Sequence, residues 1–136
     1  MLPETTISRA EDFLSIGDNR QIKDAFLEKY TKCEVLCRPK LRDYLKSIGE
    51  YETDEEFGMD LRNIKNALSD ASYIFSDERL LTRIWGKEDR VNFSSCRFLR
   101  NKITHELMER ALKEVVDRRH ELNADMDTFI EVLMNN

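Results

Sequence analysis

Apolar side chains recur every three or four residues along most of this chain, the spacing of amphipathic helices rather than of strands. A capping-box pattern, Ser8-Arg9-Ala10-Glu11, opens a short first helix that carries Ala10, Phe13, Leu14 and Ile16 inward and closes at Gly17. From Asp18 to Ile48 the inward positions are Ile22, Phe26, Tyr30, Cys33, Leu36, Cys37, Leu41, Tyr44, Leu45 and Ile48, with Gly49 as the stop. Pro39 interrupts this run, so the pattern predicts a kink there or two helices meeting near Arg38. The acidic stretch Glu50 to Glu56 reads as a linker or helix entry, with Thr53 and Glu56 as a second capping box. A helix to Phe75 follows, using Leu61, Ile64, Leu68, Ala71, Ile74 and Phe75. Ser76 then caps a short helix through Leu80, Leu81, Ile84 and Trp85 that ends at Gly86, and Lys87 to Phe93 forms a charged loop. A long helix is expected from Ser94 to His120. A last one begins at Asn123 or Ala124 and carries Met126, Phe129, Ile130, Leu133 and Met134.

Composition sharpens this reading. Four Gly and two Pro in 136 residues are too few turn formers for a sandwich or barrel of many short strands. The expectation is an all-α, up-and-down bundle of four to six helices forming one domain over residues 1–136. A net charge of -5 disfavours unspecific binding to duplex nucleic acid, which depends on broad neutralisation of phosphates, but leaves room for a local basic patch. No stretch approaches the ~18 apolar residues of a membrane span. The opening MLPETTISRAEDFL lacks the basic and apolar regions of a signal peptide, so a cytoplasmic location without a membrane partner is expected. Three cysteines, an odd number, suit free thiols in a reducing compartment.

Only two histidines are present, which limits any site that needs imidazole. His105 lies in a helix with two apolar faces. Cys96, Leu99, Ile103 and Leu107 fall within an arc of about 80° that serves the core. Phe98, Asn101, His105, Met108, Leu112 and Val116 form a second stripe, also about 80° wide. That second stripe suits another helix of the chain or a subunit seam, with Phe98, Met108, Leu112 and Val116 as its apolar members and Asn101 and His105 as polar interruptions. Asn101 is four residues from His105, so its amide can orient the imidazole. Arg100 lies about 140° round the helix and roughly 7.5 Å along it from His105, on a different face. A two-fold axis that sets a second copy of the helix alongside can bring the two groups to one cleft. An imidazole to move protons and a guanidinium to stabilise a phosphorane suit phosphodiester cleavage in RNA, without metal or cofactor. Arg97 and Lys102 add a local phosphate attractant.

These residues carry a family resemblance. A late helix holding Arg-Asn-x-x-x-His, here Arg100-Asn101-Lys102-Ile103-Thr104-His105, in an all-helical domain of this length resembles the HEPN superfamily. The predicted helical layout spans nearly the whole chain, whereas the specific signal is confined to those six positions. The resemblance implies a metal-independent endoribonuclease that works as a homodimer with its motifs facing each other, in toxin–antitoxin, phage-defence or RNA-processing systems. By that resemblance Arg100 and His105 are catalytic and Asn101 supports them; Thr104 is expected to support them too, and Arg97 and Lys102, by their charge, to bind RNA phosphates. Cleavage would proceed by 2′-hydroxyl attack and leave a 2′,3′-cyclic phosphate. An antitoxin or other regulatory protein is an implied partner. In the branch restrained by a nucleotidyltransferase antitoxin, a Tyr stands two residues after the His; this chain has Leu107 there, which departs from that mechanism.

Other features read more plainly. Cys33 and Cys37 lack the further ligands a zinc site requires, and with Cys96 they read as core. Arg118-Arg119-His120 ends the motif helix, where positive charge suits the helix dipole and caps carbonyls, with phosphate binding as an alternative. Asp125-Met126-Asp127 reads as acids favoured at a helix start, not a calcium loop. The run Glu50 to Glu56 is a solvated face or a dock for a basic partner, and Trp85 is core rather than a base-stacking platform. The competing functional class is a non-catalytic helical adaptor or RNA-binding module that uses the same seam. A small-molecule or nucleotide-binding regulator has no phosphate loop in its favour.

Overall fold

The structure, a computed structural model, describes residues 4–47, 78–85 and 94–135. Every regular element among them is helical: α1 (Glu4–Leu14), α2 (Asn19–Ser47), α3 (Glu78–Trp85), α4 (Cys96–Glu106), α5 (Glu109–Asp117) and α6 (Arg119–Met134). None of these helices is long and apolar enough to cross a membrane. The expected helix ending at Phe75, the Thr53–Glu56 box, the acidic run, the stops at Gly49 and Gly86, the Ser76 cap and the loop from Lys87 to Phe93 lie outside the described residues. So do the side chains of Leu41, Tyr44, Leu45 and Leu81.

The long α2 forms the spine of the fold. It packs against α1, α4, α5 and α6, while α3 lies against α4 and α6. Its inward stripe is the predicted one, with Phe26, Tyr30, Cys33 and Cys37 buried and Ile22 and Leu36 half-buried. Pro39 lies inside α2, so the chain continues as one helix rather than two meeting at Arg38. Across the core, Leu122, Met126, Phe129, Ile130 and Leu133 of α6 are buried. Trp85 stands edge-on to Tyr30 (centroids 5.4 Å apart) and to Phe129 (5.8 Å), joining α2, α3 and α6. Two ion pairs, Lys29–Asp127 at 2.8 Å and Arg83–Asp125 at 3.0 Å, tie α2 and α3 to α6 from the outside.

Several helix ends depart from expectation. The first helix starts at Glu4, which puts Ser8 inside it rather than at its cap. It ends at Leu14, so Ile16 falls in the following turn and is 63% exposed instead of buried. Gly17 takes φ +49°, a left-handed conformation that favours glycine, and Asn19 Nδ2 donates to the Phe13 carbonyl at 2.9 Å to lock the α1–α2 turn. The last helix starts at Arg119 rather than Asn123 or Ala124. Asp125 and Asp127 are therefore mid-helix ion-pair partners, not first-turn acids, and Met134 at the far end is 69% exposed.

The largest departure concerns the expected helix from Ser94 to His120, which is three helices. Leu107 sits in the left-handed region (φ 46°, ψ 47°), the only non-glycine with positive φ among the described residues. Its N–H donates to the Ile103 carbonyl at 3.1 Å and that of Met108 to Lys102 at 3.3 Å, closing α4 before α5 begins. A second break at Arg118 (φ -102°, ψ 17°) separates α5 from α6. Arg118 binds the Ser94 carbonyl at 2.9 Å and pairs with Glu114 and Glu121. Burial works against its charge, but hydrogen bonds to Glu121 and Glu114 outweigh this and hold its pKa above the ordinary value. Tertiary contacts thus override local helix preference at both breaks, because Ala111, Leu112 and Val115 gain burial only if α5 turns back against the core.

Two expectations follow. Leu107→Gly and Leu107→Ala both remove a half-buried side chain, but only Gly relieves the left-handed backbone. Urea unfolding is expected to place the Gly variant about 1 kcal/mol above the Ala variant, the reverse of the order inside a helix. The second concerns pH. All three cysteines are buried and free, and burial pushes the Cys33 thiol from an ordinary 9.0 up to about 12 and raises Cys37 and Cys96 as well. Above pH 9 the unfolded chain sheds thiol protons that the folded chain keeps. Stability contributed by these groups is thus full below that value and falls as pH rises towards the folded values, by about 1.4 kcal/mol per pH unit per thiol. Urea midpoints between pH 7 and 10.5 should show this slope, and Cys33→Ala should reduce it.

Candidate functional site

The helix bearing the Arg100–His105 motif is fixed firmly at its start. Ser95 is its N-cap, with Oγ accepting the Phe98 N–H at 3.0 Å. Just before it, Ser94 donates through its N–H (3.1 Å) and its hydroxyl (2.9 Å) to the carboxylate of Glu114, the same group that pairs with Arg118. Cys96, Leu99 and Ile103 face the core, as their arc predicted. The start of α4 is therefore clamped to α5 and to the α5–α6 junction.

On the rest of its surface α4 carries three cations, Arg97, Arg100 and Lys102, and the candidate His105. Arg100 is half-buried. Its guanidinium lies 5.8 Å from the centroid of the Tyr30 ring on α2, and Nη1 donates to Asn101 Oδ1 at 3.1 Å. Asn101 thus engages the arginine instead of orienting His105, as its spacing had suggested. His105 is exposed in the last turn of α4, and Thr104 beside it is exposed as well. Lys102 lies 5.5 Å from the Phe98 ring and pairs with Glu106 at 3.3 Å. A solvated pair of that kind is worth 0–1 kcal/mol and yields readily to a phosphate. Arg97 is half-buried, with Nη1 shielded and without an acceptor among the described residues.

Around Arg97 and Arg100 the structure adds two residues of α2. Tyr30, 2% exposed, hydrogen-bonds Glu34, and its hydroxyl pKa is raised by burial first and then by that carboxylate, against the pull of Arg100 and Arg97. Tyr30 was readable only as a core position. Nothing in the sequence pairs it with residues seventy places away, so a polar cluster of Tyr30, Glu34, Arg97 and Arg100 emerges only on folding.

The motif pair itself does not converge within one chain. Both residues lie in the uninterrupted part of α4, where five positions separate them by about 140° and 7.5 Å. One faces α2 and the other faces solvent. The second apolar stripe is not one surface either. Phe98 is half-buried on α4 and Met108 sits in the break, whereas Leu112 is 1% exposed and belongs to this chain's own core. Val116 is half-buried on α5. The turn at Leu107 rotates α5 out of register with α4, which removes Leu112 from any seam. At the α5–α6 junction, Arg119 Nη1 donates to the Val116 carbonyl at 2.8 Å, the carbonyl capping expected of Arg118-Arg119-His120. No three His, Cys, Asp or Glu side chains gather as for a metal ion among the described residues. No protein-family model, curated protein or solved structure matches this chain.

The two contacts that hold the cluster differ greatly in weight. Arg100→Met should lower the unfolding free energy in urea by about 1–2 kcal/mol, the range between an exposed and a desolvated cation–π contact. Tyr30→Ala, which empties a core position, should cost about 3–5 kcal/mol.

Proposed function

We propose that this chain is a metal-independent endoribonuclease of the HEPN type that cleaves single-stranded RNA as a homodimer, acting as a toxin or phage-defence effector in the cytoplasm. The observation that carries the reading is the arrangement on α4. An exposed imidazole, His105, follows by five residues a guanidinium, Arg100, that is held against Tyr30 and Asn101 on a rigid, capped helix. Because the two groups of one chain face different ways, the reading requires a site built from two copies. His105 then removes the proton of the 2′-hydroxyl, whose oxygen attacks the adjacent phosphorus. Arg100 stabilises charge on the phosphorane. The 5′-oxygen leaves with a proton from the imidazolium, and a 2′,3′-cyclic phosphate remains. Arg97 and Lys102 attract the flanking phosphates, and Asn101 and Thr104 frame the pair. An antitoxin or similar protein would restrain the activity.

A second reading, a non-catalytic helical adaptor or RNA-binding module, is favoured by a specific observation. The break at Leu107 sends Leu112 into the core and shortens the apolar stripe on which a dimer seam was expected to form. Cleavage of labelled single-stranded RNA in EDTA separates the two. Wild type is expected to cut and leave cyclic phosphate ends, while Arg100→Ala and His105→Ala each lose at least 100-fold, the lower bound for removing a general acid–base group. Mixing the two variants should restore part of the activity if each copy supplies one residue. Intact RNA with wild type would leave the adaptor reading, and equal cutting by all three would overturn the catalytic roles of Arg100 and His105.

A further inference from the structure

Away from α4, a cavity of about 470 Å³ opens between the first turns of α2 and the α5–α6 junction. Small-ligand sites commonly measure ~300–1,000 Å³. Ile22 and Ala25 supply an accessible apolar floor, over the deeply buried Phe26, Val115 and Leu122. Four polar residues line the cavity: Asp18 and Gln21 on the α2 side, and Arg119 and Asn123 on the α6 side. Arg119 spends Nη1 on the Val116 carbonyl and keeps its other N–H donors. The side chains of Asp18 and Asn123 have no hydrogen-bond or ion-pair partner among the described residues.

We propose that this cavity binds a free α-amino acid with an apolar side chain. The geometry supplies one feature for each part of such a molecule. The floor takes the side chain, Asp18 the ammonium group, Arg119 the carboxylate, and the Asn123 amide donates to a carboxylate oxygen. Competing ligand classes satisfy fewer groups. A phosphate-bearing ligand gains Arg119 but meets the like charge of Asp18, and a plain hydrocarbon leaves both charges unpaired. Opposite charges among the residues lining an apolar cavity complement a zwitterion with a hydrophobic substituent.

Amide chemical-shift titration of the full chain tests this with L-leucine and L-phenylalanine as probes, and with leucinol, N-acetyl-leucine and AMP as comparisons. Saturable shifts at Phe26, Val115 and Leu122 are expected for the two amino acids. Removing the carboxylate (leucinol) or masking the amine (N-acetyl-leucine) should weaken binding at least tenfold. Arg119→Gln should bring leucine down to the affinity of leucinol, and Asp18→Asn to that of N-acetyl-leucine. Both residues are exposed, so the variants are expected to fold. Ala25→Trp, at an exposed lining position, should block all binding while leaving the core amides in place. The proposal is overturned if neither amino acid gives saturable shifts up to ~10 mM, tenfold above a 1 mM Kd. It is equally overturned if leucine, leucinol and N-acetyl-leucine bind alike, or if AMP binds more tightly than leucine.

Discussion

The edge-to-face contact of Trp85 with Tyr30 and Phe129 is the joint on which the rest of the structure depends. Three helices from distant parts of the sequence meet in it, and a short helix, α3, is held in place largely by what its indole buries. Aromatic pairs of this geometry contribute about 0.5–1.5 kcal/mol beyond the area they cover. The joint carries a cost too, since Trp85 Nε1 is buried without an acceptor among the described residues, and a lost hydrogen bond of that kind costs about 1–3 kcal/mol. Packing outweighs polar satisfaction here. The same Tyr30 ring that closes the core on one side receives Arg100 on the other, so the candidate site is built directly on the core.

A second constraint is the turn at Leu107. Leu, Met and Glu are good helix formers, and nothing in Leu107-Met108-Glu109 signals a stop. The chain nonetheless pays the strain of a left-handed leucine, because folding α5 back buries Ala111, Leu112 and Val115. Burying Leu112 and Val115 is worth about 1.5–3 kcal/mol each, together more than the roughly 1–2 kcal/mol cost of the backbone. The consequence for function is direct. His105 becomes the last-turn residue of a short helix, exposed at an edge, rather than one member of a long apolar seam.

Charge is arranged in the same economical way. The chain is acidic overall, and its cations are spread along it, with Arg97, Arg100 and Lys102 on α4 and Arg118 and Arg119 at the α5–α6 junction. At the junction they hold structure together: Arg118 joins Ser94, Glu114 and Glu121 and thereby fixes where α4 begins. On α4 they are held more loosely, by an aromatic face, a neighbouring amide and one solvated carboxylate. Positive charge that is only weakly neutralised remains available to an incoming anion.

The amino-acid sequence by itself determined the helical class, the inward stripe of α2, the buried face of α4 and the core residues of α6, because each rests on periodicity within a single helix. The buried state of the cysteines was readable for the same reason. Only the tertiary structure decided where the long C-terminal pattern breaks, that Leu112 serves the core, that Asn101 turns to Arg100 instead of His105, and that Tyr30 and Glu34 join the candidate site. It also decided that Asp125 and Asp127 form ion pairs and that Asp18 and Arg119 line one cavity. Each of these depends on competition between local helix preference and contacts made by residues far apart in the chain, and that balance is settled only when the helices pack.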